Sequence, residues 1–433
     1  DNDVAATLAT HRALVDVVVA VAGGVDEHAR HERNVENRSI ACHLLGDIAW
    51  AADVARDAVV AADGIGALVA ACQSRDEHDL HQRATNALRA ISQSDKHKTA
   101  VATTTVVVAA AAAVRGSTNT ALRREAMCLC GSLSWHTDVR HRVAKAVLDD
   151  ALAVVKEAAG ADDELQQYAV WCVRALAHDD ALARRVDNDA LTAIVSLLTH
   201  SDVEIRREAC LALVDVGWID AERTRVATAG AVPALVRALL HDDDGDVTNY
   251  ALWALRAHLG DEKQCAAMVD GNDGAEVLTK LVAVAAIGDD DETGRNARAE
   301  ALRCMAALAW CSSKYRRMLM KQSGALAAVV AALSSTSTEV QNSAAHVCTA
   351  LAYSDDDKHA FQRALTDAGA VTPLLAMVSN GDVEGQREAT AALNNMASEP
   401  GNKKLIAEAR GEACVASGVG GGGGGGGGVY MDT

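Results

Sequence analysis

The chain has 433 residues, of which 50% are hydrophobic and only 3% aromatic, and its formal net charge at pH 7 is −18. A negative charge of that size disfavours nucleic-acid backbones and anionic membrane surfaces as general partners. No apolar run approaches the roughly 18 residues of a membrane-spanning helix, and no signal peptide is visible. One globular core would be unusual at this length, whereas a stack of repeats has no such limit.

Nine segments share, with substitutions, the pattern A-x-x-[A/L]-L-x-[N/D/A/S]-[L/I/M]-[A/S]. Apolar residues at i, i+3, i+4 and i+7 predict an amphipathic helix in each segment. Successive segments start 43, 42, 43, 40, 42, 50, 43 and 45 residues apart, and a period in the forties is the signature of an α-solenoid. The segments begin at Ala41, Ala84, Ala126, Ala169, Ala209, Ala251, Ala301, Ala344 and Ala389.

In chain order, the first predicted helices are His11–Ala22 and Asn37–Trp50. Lys98–Arg115 is rich in β-branched residues, but its position in the period outweighs that local preference and predicts a helix. The spacing of 50 residues places extra chain in Ile287–Arg298, where we predict a protruding loop.

The repeat is clearest in Gly369–Ser398, where two helices flank a turn at 380–382. After Pro400, residues 402–410 predict the first helix of a partial tenth repeat. We therefore predict a solenoid over residues 1–411 and a flexible, disordered glycine-rich tail over residues 412–433, which contain nine consecutive glycines.

Three segments carry a family resemblance: Gly-Ala-Val-Pro-Ala-Leu-Val at 230–236, Gly-Ala-Leu at 324–326 and Gly-Ala-Val at 369–371. Each lies about 20 residues before one of the patterned helices, and this phase resembles the armadillo-repeat family. The resemblance implies an all-α, right-handed armadillo solenoid of about nine repeats of roughly 42 residues plus a partial tenth. It also implies that the third helix of each repeat lines a concave groove that holds extended peptides.

We number each third helix from the family's asparagine position as zero, so that positions −6, −3, −2 and +1 are buried and −8, −4, −1 and +3 lie on the opposite face. All six tryptophans and several arginines fall on that opposite face. Indole rings accept cations, and guanidinium groups bind carboxylates or peptide carbonyls. The candidate peptide-groove residues are Trp50, Arg89, Trp135, Trp171, Arg174, Trp218, Trp253, Arg256, Arg303, Trp310 and Asn395.

Two interpretations of these residues stay open: they face a groove, or they fill seams between adjacent third helices with the arginines stacked on the tryptophans. Glu125, Glu208 and Glu388 directly follow arginines at position −8 and are expected to neutralise them. Even so, the groove is expected to be less acidic than the whole chain, and locally basic.

The eleven cysteines do not suggest a disulfide framework, because several occupy positions filled elsewhere by Leu or Ala. Small buried hydrophobes of this kind indicate a reducing compartment, the cytoplasm or the nucleus. The pairs His28/His31 and His78/His81 have the spacing of zinc ligands, but no further ligands complete a site, so we interpret them as solvated histidines.

No P-loop, GxSxG, HExxH or complete GxGxxG motif occurs. The sequence therefore predicts a non-catalytic scaffold or adaptor that binds an extended protein segment in its groove, without a cofactor, metal, nucleic acid, membrane insertion or small-molecule substrate. Two alternatives follow from the resemblance. One is a nuclear import adaptor similar to importin-α, although Ala175 and Ala257 stand where that group has asparagine beside Trp171 and Trp253. The other is the substrate-binding part of a larger U-box ubiquitin ligase, because a chain that begins with Asp1 is expected to be a fragment.

Overall fold

The computed structural model describes residues 12–24, 31–73, 77–157, 160–259, 262–271, 273–288, 291–353 and 358–416. All regular secondary structure in these ranges is helical, which confirms the predicted all-α class. The chain divides into two compact units, Asp1–Ala238 (unit 1) and Leu239–Thr433 (unit 2). The run of nine glycines, His28 and residues 1–11 lie outside the described residues.

Unit 1 is a stack of short helices in which five third helices, α2, α5, α8, α10 and α13, each pack against the next one. Each third helix after α2 also packs against the helix that comes just before it in the repeat. These preceding helices are the short second helices α4, α7 and α12 and the long α9. The helices are α1 Arg12–Gly23, α2 His31–Ala51, α3 Asp53–Ala61, α4 Gly64–Cys72, α5 His78–Ile91, α6 Asp95–Val101, α7 Thr104–Gly116, α8 Thr120–Ser134, α9 Thr137–Val155, α10 Asp163–Ala177, α11 Asp180–Ala183, α12 Asn188–Leu197, α13 Val203–Gly217 and α14 Asp220–Thr228. The boundary between the units falls within the next helix, α15 Ala231–His241.

Unit 2 has the same construction, with four third helices, α16, α19, α22 and α25, packed in sequence. The second helices α18, α21 and α24 lie against α19, α22 and α25. The helices are α16 Gly245–His258, α17 Glu262–Val269, α18 Gly274–Ala285, α19 Glu292–Cys311, α20 Ser313–Lys321, α21 Ala325–Ala332, α22 Thr338–Ala352, α23 Lys358–Asp367, α24 Val371–Asn380, α25 Val383–Met396 and α26 Pro400–Ala416.

The third helices begin where a short polar side chain satisfies a free backbone amide. Asp162, for example, accepts a hydrogen bond from the amide of Leu165, and Asp244 accepts one from Val247. Such an N-cap stabilises a helix by about 1 kcal/mol. The N-caps of this kind on third helices are Asn119, Asp162, Asp202, Asp244, Asp291, Ser337 and Asp382.

The Gly-Ala segments owe their glycine to backbone geometry. Gly230, Gly324 and Gly369 have φ angles of 89°, 81° and 88°, each just before a second helix. A left-handed residue at this place turns the chain from the first helix into the second, and glycine adopts it without strain. Asp63, with φ of 62°, takes the corresponding place before α4.

The predicted core positions are confirmed in eight of the nine third helices, from α5 to α25. There, positions −6, −3, −2 and +1 are all buried. The exception is α2, where Leu44 at position −3 is 44% exposed. An apolar side chain is therefore exposed on α2, which is the third helix of the first repeat.

The buried cysteines behave as small hydrophobes, as predicted. Cys130, Cys172, Cys304 and Cys348 are fully buried among the third helices. Burial raises the pKa of the Cys172 and Cys348 thiols to about 12, so these groups stay protonated at neutral pH. Every cysteine whose side chain the structure describes is a free thiol.

The loop predicted at Ile287–Arg298 is wrong, because residues from Glu292 onward belong to α19. Asp291 caps the helix by accepting a hydrogen bond from the amide of Gly294. Arg298 is buried, and its Nε donates to the carbonyl of Ala285 at 3.0 Å. The extra residues therefore lengthen a third helix, because a buried arginine binds the C-terminal end of α18.

The helix predicted over Lys98–Arg115 is divided into α6 and α7. Within the described ranges, no single helix is both long and apolar enough to span a membrane. Together α6 and α7 have the required length and composition, but the chain bends by 81° at the break between them.

Further along, α9 replaces the separate first and second helices of its repeat with one helix of 19 residues. The last helix, α26, runs to Ala416, five residues beyond the predicted boundary at 411.

We predict that Arg298→Ala lowers the stability of unit 2 by about 1–3 kcal/mol, because it leaves the Ala285 carbonyl without its charged donor in a buried place. Urea unfolding followed by circular dichroism measures the change. Arg295→Ala, at a half-buried position one turn earlier in the same helix, is the matched control and is expected to cost less. Equal losses for both variants would contradict the role given to Arg298.

Candidate functional site

The six tryptophans on the third helices are partly exposed, and none is fully buried. Trp50, Trp218 and Trp310 at position +3 are 42%, 44% and 40% exposed. Trp135, Trp171 and Trp253 are half-buried. Each tryptophan is therefore covered in part and accessible in part, and both interpretations of these residues stay open.

The arginine at position −1 of α5 joins three successive third helices. Arg89 Cζ lies 4.9 Å from the ring centroid of Trp50 on α2, and its Nε donates to Glu125 Oε2 on α8 at 2.8 Å. The second oxygen of Glu125 accepts from Asn86 Nδ2 at 3.0 Å. We call Trp50, Arg89 and Glu125 the first joint.

The same arrangement recurs two repeats later. Arg174 Cζ on α10 lies 5.0 Å from the Trp135 ring, and its Nη1 donates to Glu208 Oε2 on α13 at 2.8 Å. Arg174 Nε also donates to Asp215 Oδ2 at 3.1 Å. We call Trp135, Arg174, Glu208 and Asp215 the second joint. Burial raises the pKa of both carboxyl groups, and the Arg174 charge opposes that shift.

In unit 2, two of the predicted arginines share one buried carboxylate. Arg256 Nε donates to Glu300 Oε2 and Arg303 Nη1 donates to Glu300 Oε1, both at 2.6 Å. Arg303 also bridges to Glu339 at 2.8 Å. These arginines therefore connect α16, α19 and α22 rather than standing free for a partner.

An aromatic cluster lies on α19 and α22. Trp310 Nε1 donates to His346 Nε2 at 2.9 Å, and the Trp310 ring centroid is 5.2 Å from that of Tyr353. Tyr353 is 52% exposed. Next to this cluster is a notch of about 400 Å³ lined by Arg303, Glu339, Asn342, His346, Asp382 and Glu384.

Two candidate residues, Trp171 and Asn395, contact neighbouring repeats of the solenoid itself. An added Cβ at Gly131 of α8 would lie 2.5 Å from Cε3 of Trp171, so the indole packs directly on the neighbouring third helix. Asn395, at the position where the family resemblance places a peptide contact, donates instead to the backbone carbonyl of Thr349 at 3.1 Å.

The expectation of a locally basic groove is not met on the described third helices. Glu125 and Glu208 pair with Arg89 and Arg174 of a neighbouring helix, and Glu388 pairs with the preceding Arg387 at 2.9 Å. In addition, seven of the nine third helices carry an acidic residue at position −11, near the helix N-terminus. These residues are Glu36, Asp79, Glu164, Glu204, Asp246, Glu339 and Glu384.

Sequence reasoning named Glu125 and Glu208 but did not pair them with Arg89 and Arg174, and it missed Glu300 and His346. The partners of the pairs Arg89–Glu125, Arg174–Glu208 and Arg256–Glu300 are 34 to 44 residues apart, about one repeat. A search for opposite charges at a one-repeat separation would have found them. Among the described residues, no three His, Cys, Asp or Glu side chains are grouped as metal ligands.

Comparisons with known proteins agree with this architecture. A family model of HEAT repeats matches residues 151–256, and a model of the Armadillo/beta-catenin-like repeat matches residues 360–398. The crystal structure of an engineered protein aligns over 93% of this chain and 93% of its own, with a TM-score of 0.76 and 27% sequence identity. The chain has the fold of an armadillo-type repeat solenoid.

Two further structures resemble part of this solenoid. A second engineered protein aligns over 57% of the chain and 99% of its own length, with a TM-score of 0.51 and 28% identity. A designed armadillo repeat protein also aligns over 57% of the chain and 99% of its own length, with a TM-score of 0.50 and 22% identity. At this identity the similarity concerns the fold alone. No curated protein matches the sequence significantly.

We predict that Gly131→Ala destabilises unit 1 by about 1–3 kcal/mol, because the new methyl group would displace Trp171 from the seam. Gly116→Ala is the matched control: its Cβ would meet nothing within 4 Å, so stability should hold or rise. Thermal unfolding followed by circular dichroism compares the two variants. A Gly131→Ala protein as stable as the control would show that Trp171 is free to move.

Proposed function

We propose that this protein is a non-catalytic scaffold that binds an extended protein segment along the face formed by its third helices. The observation that carries the proposal is the exposed pair Trp310 and Tyr353 beside an open notch. Tyrosine and tryptophan rings offer large contact areas with little loss of conformational entropy, and they dominate many protein interfaces.

The charges around this cluster favour a partner with cationic side chains. Two arginines face five carboxylates here, and both arginines are already within ion pairs. The carboxylates nearest the opening are accessible, since the side chains of Glu339 and Glu384 are 51% and 64% exposed. The groups concerned are Arg303, Arg387, Glu300, Glu339, Asp382, Glu384 and Glu388.

One lysine or arginine of the partner can stack on the Trp310 or Tyr353 ring, while another, spaced along the segment, meets Glu339 or Glu384. An acidic segment would have to separate arginines from carboxylates that already satisfy them, and breaking such half-buried pairs is costly. The proposed partner is therefore an extended segment with spaced basic residues, in place of an acidic one.

The import-adaptor alternative has less support. Asn395 is bound to the carbonyl of Thr349, and Ala175 and Ala257 stand beside Trp171 and Trp253. The regular tryptophan and asparagine contacts implied by that resemblance are thus not available at these positions.

We also propose that the protein works in the cytoplasm or the nucleus, because buried free thiols are typical of proteins in reducing compartments.

A peptide-display selection against the folded full chain tests the proposal. Peptides with spaced lysine or arginine residues are expected to be enriched, and Glu339→Lys/Glu384→Lys is expected to abolish that enrichment. Enrichment of acidic peptides would contradict the proposed partner chemistry. If no peptide were enriched, binding along the third helices would be refuted.

We further predict that Trp310→Ala weakens binding of a selected peptide about tenfold, the loss expected for one cation–π contact with its buried area. Its melting temperature should stay close to that of the parent, because the ring is 40% exposed. Leu405→Ala on α26 is the control, since Leu405 is similarly exposed at 49% but lies off the third helices. Calorimetric titration measures both affinities, and equal losses would remove Trp310 from the site.

A further inference from the structure

The two joints of unit 1 are built alike and differ in charge. Both place an arginine at position −1 about 5 Å from a tryptophan ring on the preceding third helix. Both bind that arginine to a glutamate at position −7 of the following third helix, at 2.8 Å. The first joint is therefore a natural reference for the second.

Two of the positions that differ bear on the charge of the joints. The first joint has Gln93 at position +3 of α5 and Ser132 at position zero of α8, where the hydroxyl of Ser132 lies 3.0 Å from that of Ser92. The second joint has His178 and Asp215 at the corresponding positions of α10 and α13. His178 Nε2 lies 3.6 Å from Asp215 Oδ2, and its ring centroid lies 4.9 Å from that of Trp135.

The first joint is electrically balanced, with one guanidinium and one carboxylate. The second joint has one guanidinium between two carboxylates, and the side chains of Glu208 and Asp215 are only 19% and 12% exposed. One negative charge is therefore left in a half-buried place unless a proton is added. An uncompensated charge of this kind costs free energy, because little water reaches it.

The neighbouring groups do not supply the missing positive charge. On α13, Glu204 adds a further negative charge that raises the pKa of Glu208, and Arg207 is bound to Glu204 at 2.7 Å. Beside Trp135, Arg140 binds main-chain carbonyls, including that of Trp135 at 3.3 Å. Asp179, next to His178, pairs with His141 at 3.1 Å. Besides Arg174, His178 is the basic side chain placed against the surplus carboxylate.

We propose that the second joint is a pH-sensitive contact, which holds three successive repeats of unit 1 together more tightly when it takes up one proton. A proton on His178 places an imidazolium between the Trp135 ring and Asp215, where it gains both a cation–π and an ionic contact. A proton on either carboxyl group removes the surplus charge directly. Both events balance the joint, as the first joint is balanced without a proton.

The direction of the pH effect follows from proton uptake by the folded state. Burial raises the pKa of Glu208 and Asp215 in the folded protein, so the folded state binds a proton more readily than the unfolded state. The stabilising contribution of the second joint therefore grows as pH falls through the raised pKa values of the folded state, and it is lost as pH rises above them. This is opposite to ordinary acid destabilisation, in which paired carboxylates lose their charge.

Hydrogen exchange of the full chain, corrected for intrinsic rates, tests the proposal at pH 7.5 and 5.5. Amides of α10 and α13 are expected to become more protected at the lower pH relative to those of α5, by up to about tenfold for each unit of pKa difference between the two states. Asp215→Asn should give that protection already at pH 7.5 and remove most of the pH response. His178→Gln, which reproduces the first joint at that position, should also reduce the response.

His141→Gln is the matched control, because it removes a histidine–aspartate contact outside the second joint, and it should keep the response of the parent. The proposal is overturned if Asp215→Asn lowers protection at pH 7.5. It is equally overturned if α10 and α13 show no gain over α5 in acid, or if only His141→Gln abolishes the gain. These readouts concern the unliganded protein, so their outcome is independent of whether the proposed partner binds.

Discussion

The ion pair between an arginine at position −1 and a glutamate one repeat further along is the interaction on which the described third helices depend. A solenoid has no single core, so each repeat is held mainly by its neighbours. Apolar packing alone would allow adjacent helices to slide, since alanine and leucine make interchangeable contacts. A guanidinium fixed between an indole ring and a carboxylate gives each contact a defined register. In unit 1 this occurs twice, through Arg89 and Arg174.

The same interaction decides what the surface offers to a partner. The arginines that the sequence placed on the binding face are occupied by carboxylates, so they contribute shape and rigidity more than free charge. The accessible features that remain are one face of several tryptophans, the Trp310–Tyr353 pair, and acidic side chains near the helix N-termini. Acidic residues are favourable there because they oppose the helix dipole, and they also give the face its negative charge.

Most of the fold followed from the sequence because it rests on local periodicity. The apolar stripe at i, i+3, i+4 and i+7 identified every third helix, and the glycines at 230, 324 and 369 marked turns that need a positive φ. The N-terminal extension of α19 was missed because it depends on Arg298 reaching a carbonyl on another helix. The pairing of Glu208 with Arg174 was missed for the same reason, since it joins residues of adjacent repeats. Local patterns predict helices well, whereas contacts between repeats require the helices to be placed first.

The most direct test of this account is a double-mutant cycle on Arg89 and Glu125, measured as the free energy of unfolding of the full chain. If the arginine is a tie between repeats, Arg89→Ala and Glu125→Ala should each destabilise the protein. The double variant should then lose less than the sum of the two, with a coupling energy of about 1–3 kcal/mol. Additive losses would contradict the account, because they would show that the two side chains act independently and that the arginines are free to serve a partner.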